Sequence, residues 1–256
     1  MWRSTDAQYL VGLQLARGPV DTEAYPFNLP AIRSLDLRFL RPVTFFVGEN
    51  GTGKSTVIEA LAELCGFPAS GGGRNEFGAK HGPEPEAALT TALRPSFRKR
   101  PRDGYFFRAE FQAFFASLLD QRKQDPDFLG DPYSRYGGRS LYSRSHGEAF
   151  LAVLQERIGA GLYLFDEPES ALSPQRQLTL LAHMAQLVAE GQTQFIVATH
   201  SPILLTFPGA EILSFDGENV HPVKLEDTAQ YQITKGILES PERYWKHLKS
   251  SGRKDE

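Results

Sequence analysis

"GENGTGKST", residues 48–56, follows the apolar run "VTFFV" (43–47) and opens "KSTVIEALAEL" (54–64), whose apolar residues recur at helical spacing. The stretch fills every fixed position of the pattern G-x-x-x-x-G-K-[ST], and it does so between a strand and a helix, the context that pattern requires. Gly48, Gly51 and Gly53 allow the backbone to wrap around a phosphate, and with Asn50, Thr52 and Thr56 they make a loop whose N–H groups point inward. Lys54 is then placed to reach the β- and γ-phosphates of a nucleotide, and Ser55 to offer a hydroxyl to Mg²⁺.

Such a loop needs an acidic partner for the metal, carried at the end of a neighbouring apolar strand. "LYLFDEPESALS" (162–173) supplies one: Asp166 ends the strand and is the candidate Mg²⁺ ligand with Ser55. Glu167 follows directly, where a carboxylate can orient and deprotonate an attacking water. "QFIVATHSP" (194–202) reads as a further buried strand, expected to end at His200, on the carboxyl edge where ligands collect in open α/β sheets. "SRSHGEAFLAVL" (143–154) supports two readings. Ser145 with Glu148 is a capping box, and Ser145 with Gly147 is a phosphate grip at a helix N-terminus.

Further out, "QYLVGLQL" (8–15) and "SLDLRF" (34–39) alternate apolar and polar residues as half-buried strands do, with "PFNLPAI" (26–32) between them as loop or edge. Residues 66–104 are dense in Gly and Pro and read as a loop excursion. "AEFQAFFASLLDQRK" (109–123) then predicts a helix with Phe111, Phe114, Phe115, Leu118 and Leu119 on one face. From 149 onward helices alternate with short strands, which implies a parallel sheet. One domain over 1–249, with an excursion at about 66–145, and a disordered tail at 250–256 are expected.

With 256 residues, 41% of them hydrophobic, the chain has material for a substantial core. A net charge of −3 provides no general attraction to nucleic acid, so any such contact needs a local patch. The lone Cys65 excludes an internal disulfide and fits a reducing compartment. No apolar run is long enough to span a membrane and the N-terminus lacks a signal-peptide layout, so a soluble, cytoplasmic protein without direct membrane insertion is expected.

Taken together the motifs resemble those of the ABC-type ATPase family. "GENGTGKST" is similar to its phosphate loop, "LYLFDEPE" to its Mg²⁺ strand with catalytic Glu, "SALS" (170–173) to its D-loop, "ATHSP" (198–202) to its switch histidine and "SHGE" (145–148) to its signature. With "PFNLPAI" and "FFRAE" (106–110), the chain looks most like small stand-alone bacterial ATPases of the SMC-like branch. The resemblance implies an α/β P-loop NTPase fold: a mainly parallel central sheet, an N-terminal antiparallel β region and a small helical lobe. It also implies ATP and Mg²⁺ as cofactors, Glu167, His200 and Lys54 as catalytic residues, and an ATP-dependent homodimer in which Ser145 and Gly147 grip the γ-phosphate held by the other subunit. The signature departs from the family pattern, with Arg144 in place of an apolar residue and His146 in place of Gly. For the family's Gln loop the candidates are Gln112 and Glu110; for the residue stacked on adenine they are Tyr25 and Phe27.

Between Lys54 and Ser145 there is no sustained heptad pattern, so no coiled-coil arm is expected. The one dense basic stretch, "RPSFRKRPR", carries Arg94, Arg98, Lys99, Arg100 and Arg102 and suits either a solvated loop or contact with DNA, in a system such as repair or phage defence. A DNA-processing protein partner fits the same class. The alternatives are the nucleotide-binding subunit of a membrane transporter and a slow ATP-gated scaffold. A simple kinase or GTPase leaves "SHGE", "DEPESALS" and "ATHSP" unexplained.

Overall fold

Three runs dominated by apolar residues, 43–47, 161–166 and 193–198, are buried along their whole length, which only the interior of a sheet covered on both faces allows. The computed structural model describes residues 8–16, 20–69, 71–73, 87–108, 119–126, 130–136, 138–140, 143 and 146–251. Its first elements are β1 (Leu10–Leu15), α1 (Pro30–Arg33), β2 (Asp36–Arg38), β3 (Val43–Val47), α2 (Lys54–Leu64), β4 (Gly72–Gly73), α3 (Ala87–Ala92) and β5 (Leu93–Phe97). There follow β6 (Gly104–Arg108), α4 (His146–Arg157), β7 (Gly161–Asp166), α5 (Pro174–Ala189), β8 (Thr193–Ala198), β9 (Glu211–Ser214), β10 (His221–Pro222), α6 (Ala229–Glu239) and α7 (Pro241–Ser251).

The larger sheet has seven strands in the order β10-β9-β3-β8-β7-β6-β4. Its five middle strands run parallel, and β10 and β4 add antiparallel edges. Successive residues of a strand face opposite sides, so the sheet feeds two cores. Phe45, Tyr163, Phe165, Phe195 and Val197 meet Phe150 and Leu154 of α4 and Leu180, Met184 and Leu187 of α5. Phe46, Leu162, Leu164 and Ile196 meet Val57, Ile58 and Leu61 of α2, with Cys65 at the end of that helix among them.

The second core is closed by a three-stranded antiparallel sheet, β2-β1-β5, through Leu10, Leu13, Leu37 and Leu93. Gln194 of β8 ties the two sheets together. Its Oε1 accepts the N–H groups of Tyr9 and Leu10, both at 2.9 Å, and its Nε2 donates to the Leu10 carbonyl at 2.8 Å. A fully buried amide is tolerated there because its polar atoms find partners.

Several expectations change. The stretch 66–104 is not wholly loop: it holds α3 and β5, and β5 completes the antiparallel sheet. "PFNLPAI" contains a helical turn, because Pro30 at its first position brings a preset φ and a missing N–H where neither hinders a helix. The strand before His200 ends at Ala198. Of the tail expected at 250–256, residues 250 and 251 belong to α7, and 252–256 lie outside the described residues. Of the helix expected at 109–123, residues 119–124 are helical with Leu119 buried, and 109–118 lie outside the described residues. Among the described residues no helix is long and apolar enough to cross a membrane.

Candidate active site

Parallel strands end on the same side of a sheet, and here the carboxyl ends of β3, β7, β8 and β9 deliver the loop 48–53, Asp166, the segment Thr199–His200 and Asp216 to one edge. The loop is shaped by left-handed glycines. At Gly48 (φ +143°) a Cβ would stand 3.1 Å from an Asp216 oxygen and from the Thr52 hydroxyl. At Gly53 (φ +99°) it would press on Ile32 and Leu29 beside α1. Asp216 holds the loop from outside, accepting the Glu49 N–H at 2.8 Å, and the Thr52 hydroxyl donates to the Glu49 carbonyl at 2.9 Å. Asn50 at the tip is exposed.

Lys54 and Ser55 start α2 under this loop. The Lys54 ammonium donates to the carbonyls of Gly48 and Glu49, both at 2.8 Å. Burial pushes its pKa down, while Glu167, Asp216, Asp166 and Glu49 push it back up. The Ser55 hydroxyl donates to Asp166 Oδ1 at 2.9 Å, which brings together two oxygen groups from separate elements. Both are hard donors of the kind Mg²⁺ takes. Among the described residues no group of three or more His, Cys, Asp or Glu forms an all-protein metal cage. A site of one carboxylate and one hydroxyl therefore suits an ion that fills its remaining positions with phosphate oxygens and water.

Glu167 is the one described residue other than glycine with a positive φ (φ 47°, ψ 54°). The turn over-determines this conformation: its N–H donates to the Ala198 carbonyl at 3.0 Å, and its carbonyl accepts the Ser170 N–H and hydroxyl at 3.1 and 2.8 Å. Its carboxylate lies 3.7 Å from His200 Nε2, close but beyond hydrogen-bond distance. That nitrogen is buried without a hydrogen-bond partner. Burial lowers the His200 pKa, and the nearby Lys54 charge lowers it further against the pull of Glu167.

Glu169 was not foreseen from sequence, where it is one more acid in a polar turn. Its Oε1 accepts the His200 N–H at 2.5 Å, and its Oε2 is buried without a partner. Burial raises the Glu169 pKa against that hydrogen bond, which favours the charged form. Arg108 was also missed: it ends β6, a strand hidden by its neighbourhood to the Gly- and Pro-rich excursion, and its guanidinium approaches Asp166 and Glu59. Asp216 had a usable signal, since it lies just beyond "AEILSF" at the same carboxyl edge.

The other assignments divide. The Tyr25 hydroxyl lies 2.8 Å from the Thr56 hydroxyl and its ring is exposed beside the phosphate loop, whereas Phe27 is buried in the second core. Of these two candidates Tyr25 is the exposed one. Ser145, Arg144, Glu110 and Gln112 lie outside the described residues. Gly147, at the start of α4, has a packing requirement of its own: a Cβ there would fall 2.5 Å from Arg176 Nη1 and 2.9 Å from the Ala171 carbonyl. Glu148 pairs with the same arginine at 3.1 Å, so α4 starts against Ala171 and α5.

The chain matches two family models. One, described as "AAA domain, putative AbiEii toxin, Type IV TA system", matches residues 85–206, and another, "AAA domain", matches residues 27–111. Translation initiation factor RLI1 of Saccharomyces cerevisiae is 24% identical over 214 residues. That match takes in 83% of this chain but only 32% of the relative's length. Among solved structures, cbiO1 from Clostridium perfringens, part of the ABC transporter complex cbiONQ, is 16% identical, with 95% of this chain and 99% of that one covered at a TM-score of 0.48. MJ1267, an ATP-binding cassette of an ABC transporter, is 13% identical, with 91% and 96% covered at the same TM-score. The two AAA-domain matches overlap at 85–111 and between them take in every strand end gathered at this edge except that of β9, so over residues 27–206 the chain is similar to AAA domains, in keeping with its phosphate loop.

Proposed function

We propose that the protein is an Mg²⁺-dependent ATPase that dimerises around ATP and separates after hydrolysis, a soluble molecular switch. The observation that carries this reading is the meeting of Ser55, Asp166, Glu167 and His200 at one sheet edge beside Lys54, with Ser55 and Asp166 already 2.9 Å apart. Lys54 and the loop amides receive the phosphates and stabilise charge as it develops on the transferring group. Ser55 and Asp166 would hold Mg²⁺, which would supply neutralisation of phosphate charge. Glu167 takes a proton from water as the water oxygen bonds the γ-phosphorus and the bond to the β-phosphate oxygen breaks, leaving ADP and phosphate. His200, whose pKa is lowered by burial, offers its unpartnered Nε2 toward the same phosphate.

Dimerisation follows from the signature reading of Ser145 and Gly147, in which α4 presents its N-terminus to a γ-phosphate held by the second copy. The test is the solution mass of Glu167→Gln with Mg²⁺, with and without ATP. A monomer that becomes a dimer only with ATP, and no longer does so when Ser145→Arg is added, supports the switch. A protein that binds ATP and stays monomeric with both residues intact refutes it.

A second reading concerns the partner. Arg94, Arg98, Lys99, Arg100 and Arg102 are all exposed in and just after the edge strand β5. Lys99 lies over the Tyr9 ring and Arg100 over the Phe97 ring, at 5.9 and 5.3 Å from the centroids. Cations held over aromatic faces on a sheet edge suit the phosphates of DNA. Charge reversal of Arg98, Lys99 and Arg100 is expected to abolish salt-sensitive DNA binding; identical binding before and after removes the reading.

A further inference from the structure

The carboxyl end of β6 stands beside that of β7, and Arg108 is in register with Asp166. Its Nη1 lies 2.8 Å from Glu59 Oε1 and its Nε 3.5 Å from Asp166 Oδ2. Glu59 follows Ser55 by four residues on α2, so both project from the same helix face. The contacts close a ring: Ser55 to Asp166, Asp166 to Arg108, Arg108 to Glu59, and Glu59 back to Ser55 along the helix. Asp166 thus has one oxygen against the Ser55 hydroxyl and the other against a guanidinium. Arg108, Glu59 and Asp166 are largely buried, where breaking an ion pair is costly.

A metal that binds at Ser55 and Asp166 meets this arrangement. A guanidinium beside the metal carboxylate balances its charge before the metal arrives, and repels the metal as it does. We propose that Arg108 is a resident counter-cation of the metal site: it neutralises Asp166 in the absence of Mg²⁺ and sets the Mg²⁺ concentration at which the site loads. Glu59 is the second anchor, drawing the guanidinium toward α2 and away from Asp166. The inference rests on the reading above that Ser55 and Asp166 hold Mg²⁺. It assigns a role to a residue two positions before Glu110, one of the two Gln-loop candidates.

The experiment follows binding of a fluorescent ATP analogue to the full chain as MgCl₂ is added, with thermal melting in EDTA alongside. R108Q is expected to move the Mg²⁺ midpoint down by roughly threefold to tenfold, the size of one screened charge contact, and to melt earlier than wild type in EDTA. E59Q is expected to move the midpoint the opposite way, because the carboxylate that draws the guanidinium toward α2 is then lost. R108K, which keeps the charge, stays near wild type. An R108Q midpoint that is unchanged or higher overturns the proposal. Should R108Q fail to fold, E59Q decides alone: a raised midpoint supports the proposal and an unmoved one overturns it. Wild-type nucleotide binding that ignores Mg²⁺ sinks the metal assignment itself, an outcome distinct from Mg²⁺-dependent binding that Arg108 does not tune.

Discussion

The two sheets solve the same packing problem in opposite ways. In the parallel sheet both faces are covered, so β3, β7 and β8 are buried throughout and polar chemistry is displaced to their carboxyl ends. In the antiparallel sheet only one face is covered. Leu13 and Leu37 point inward, while Gln14, Asp36, Arg38, Arg94 and Ser96 are exposed on the other face. A polar residue ending a buried parallel strand has few structural reasons to be there, so Asp166 or Asp216 is informative. An exposed arginine on the antiparallel face is the default of a half-covered sheet.

The contrast can be broken by substitution. The largest expected effect is at a strand end: Glu167→Gln lowers kcat by roughly 10²–10⁴-fold, the range for a lost general base, with ATP binding retained. Steady-state ATPase assays beside nucleotide-binding titrations check it, and near-normal turnover would remove Glu167 from its role. In the body of the sheet, Phe195→Ala should cost about 3–5 kcal/mol by denaturant unfolding, because the fully buried ring leaves a cavity its neighbours cannot fill. Gln194→Ala cuts the tie between the sheets and leaves the Tyr9 and Leu10 N–H groups unpaired, at about 1–3 kcal/mol. Amide exchange should then quicken in β1 and not in β7; equal protection in both would show that the sheets are held by their apolar contacts alone. The smallest effect is on the outer face, where Arg38→Ala should stay within about 0.5 kcal/mol.

Acid provides a further probe of the parallel sheet's edge. Burial holds the pKa of His200 at this edge, and of His183 within α5, below the ordinary 6.5, so the folded chain binds fewer protons at both than the unfolded chain. The stability this contributes is fully present above pH 6.5 and is lost as pH falls from there through the lowered folded values. Unfolding midpoints for His200→Gln should fall less steeply between neutral and mildly acidic pH than those of wild type. A parallel decline would mean that His200 is not titrating across this window.

The same contrast explains how much could be read in advance. β3, β7, β8, α2 and α5 were legible because unbroken apolar runs and helical spacing are local properties, and the phosphate loop because its glycines and Lys54 are consecutive. Asp166, Glu167 and His200 followed from their positions after those runs. β5 was not legible: "LRPSF" contains a proline and an arginine, and becomes a strand by pairing with β1, far away in sequence. Glu169 escaped for a related reason, since its value lies in the His200 N–H it meets across the fold. Arg108 and Asp216 depend likewise on which strands become neighbours.

Glu167 carries one more consequence. A left-handed backbone costs a residue with a β-carbon about 1 kcal/mol or more, while glycine adopts it freely and asparagine tolerates it. Evolution of the protein under two different pressures should therefore part ways at this codon. A library diversified at position 167 and passed only through heat should drift toward glycine and asparagine, whereas one required to turn over ATP should return to glutamate. The position would then work as a gauge of which demand, endurance or chemistry, a given lineage has been answering.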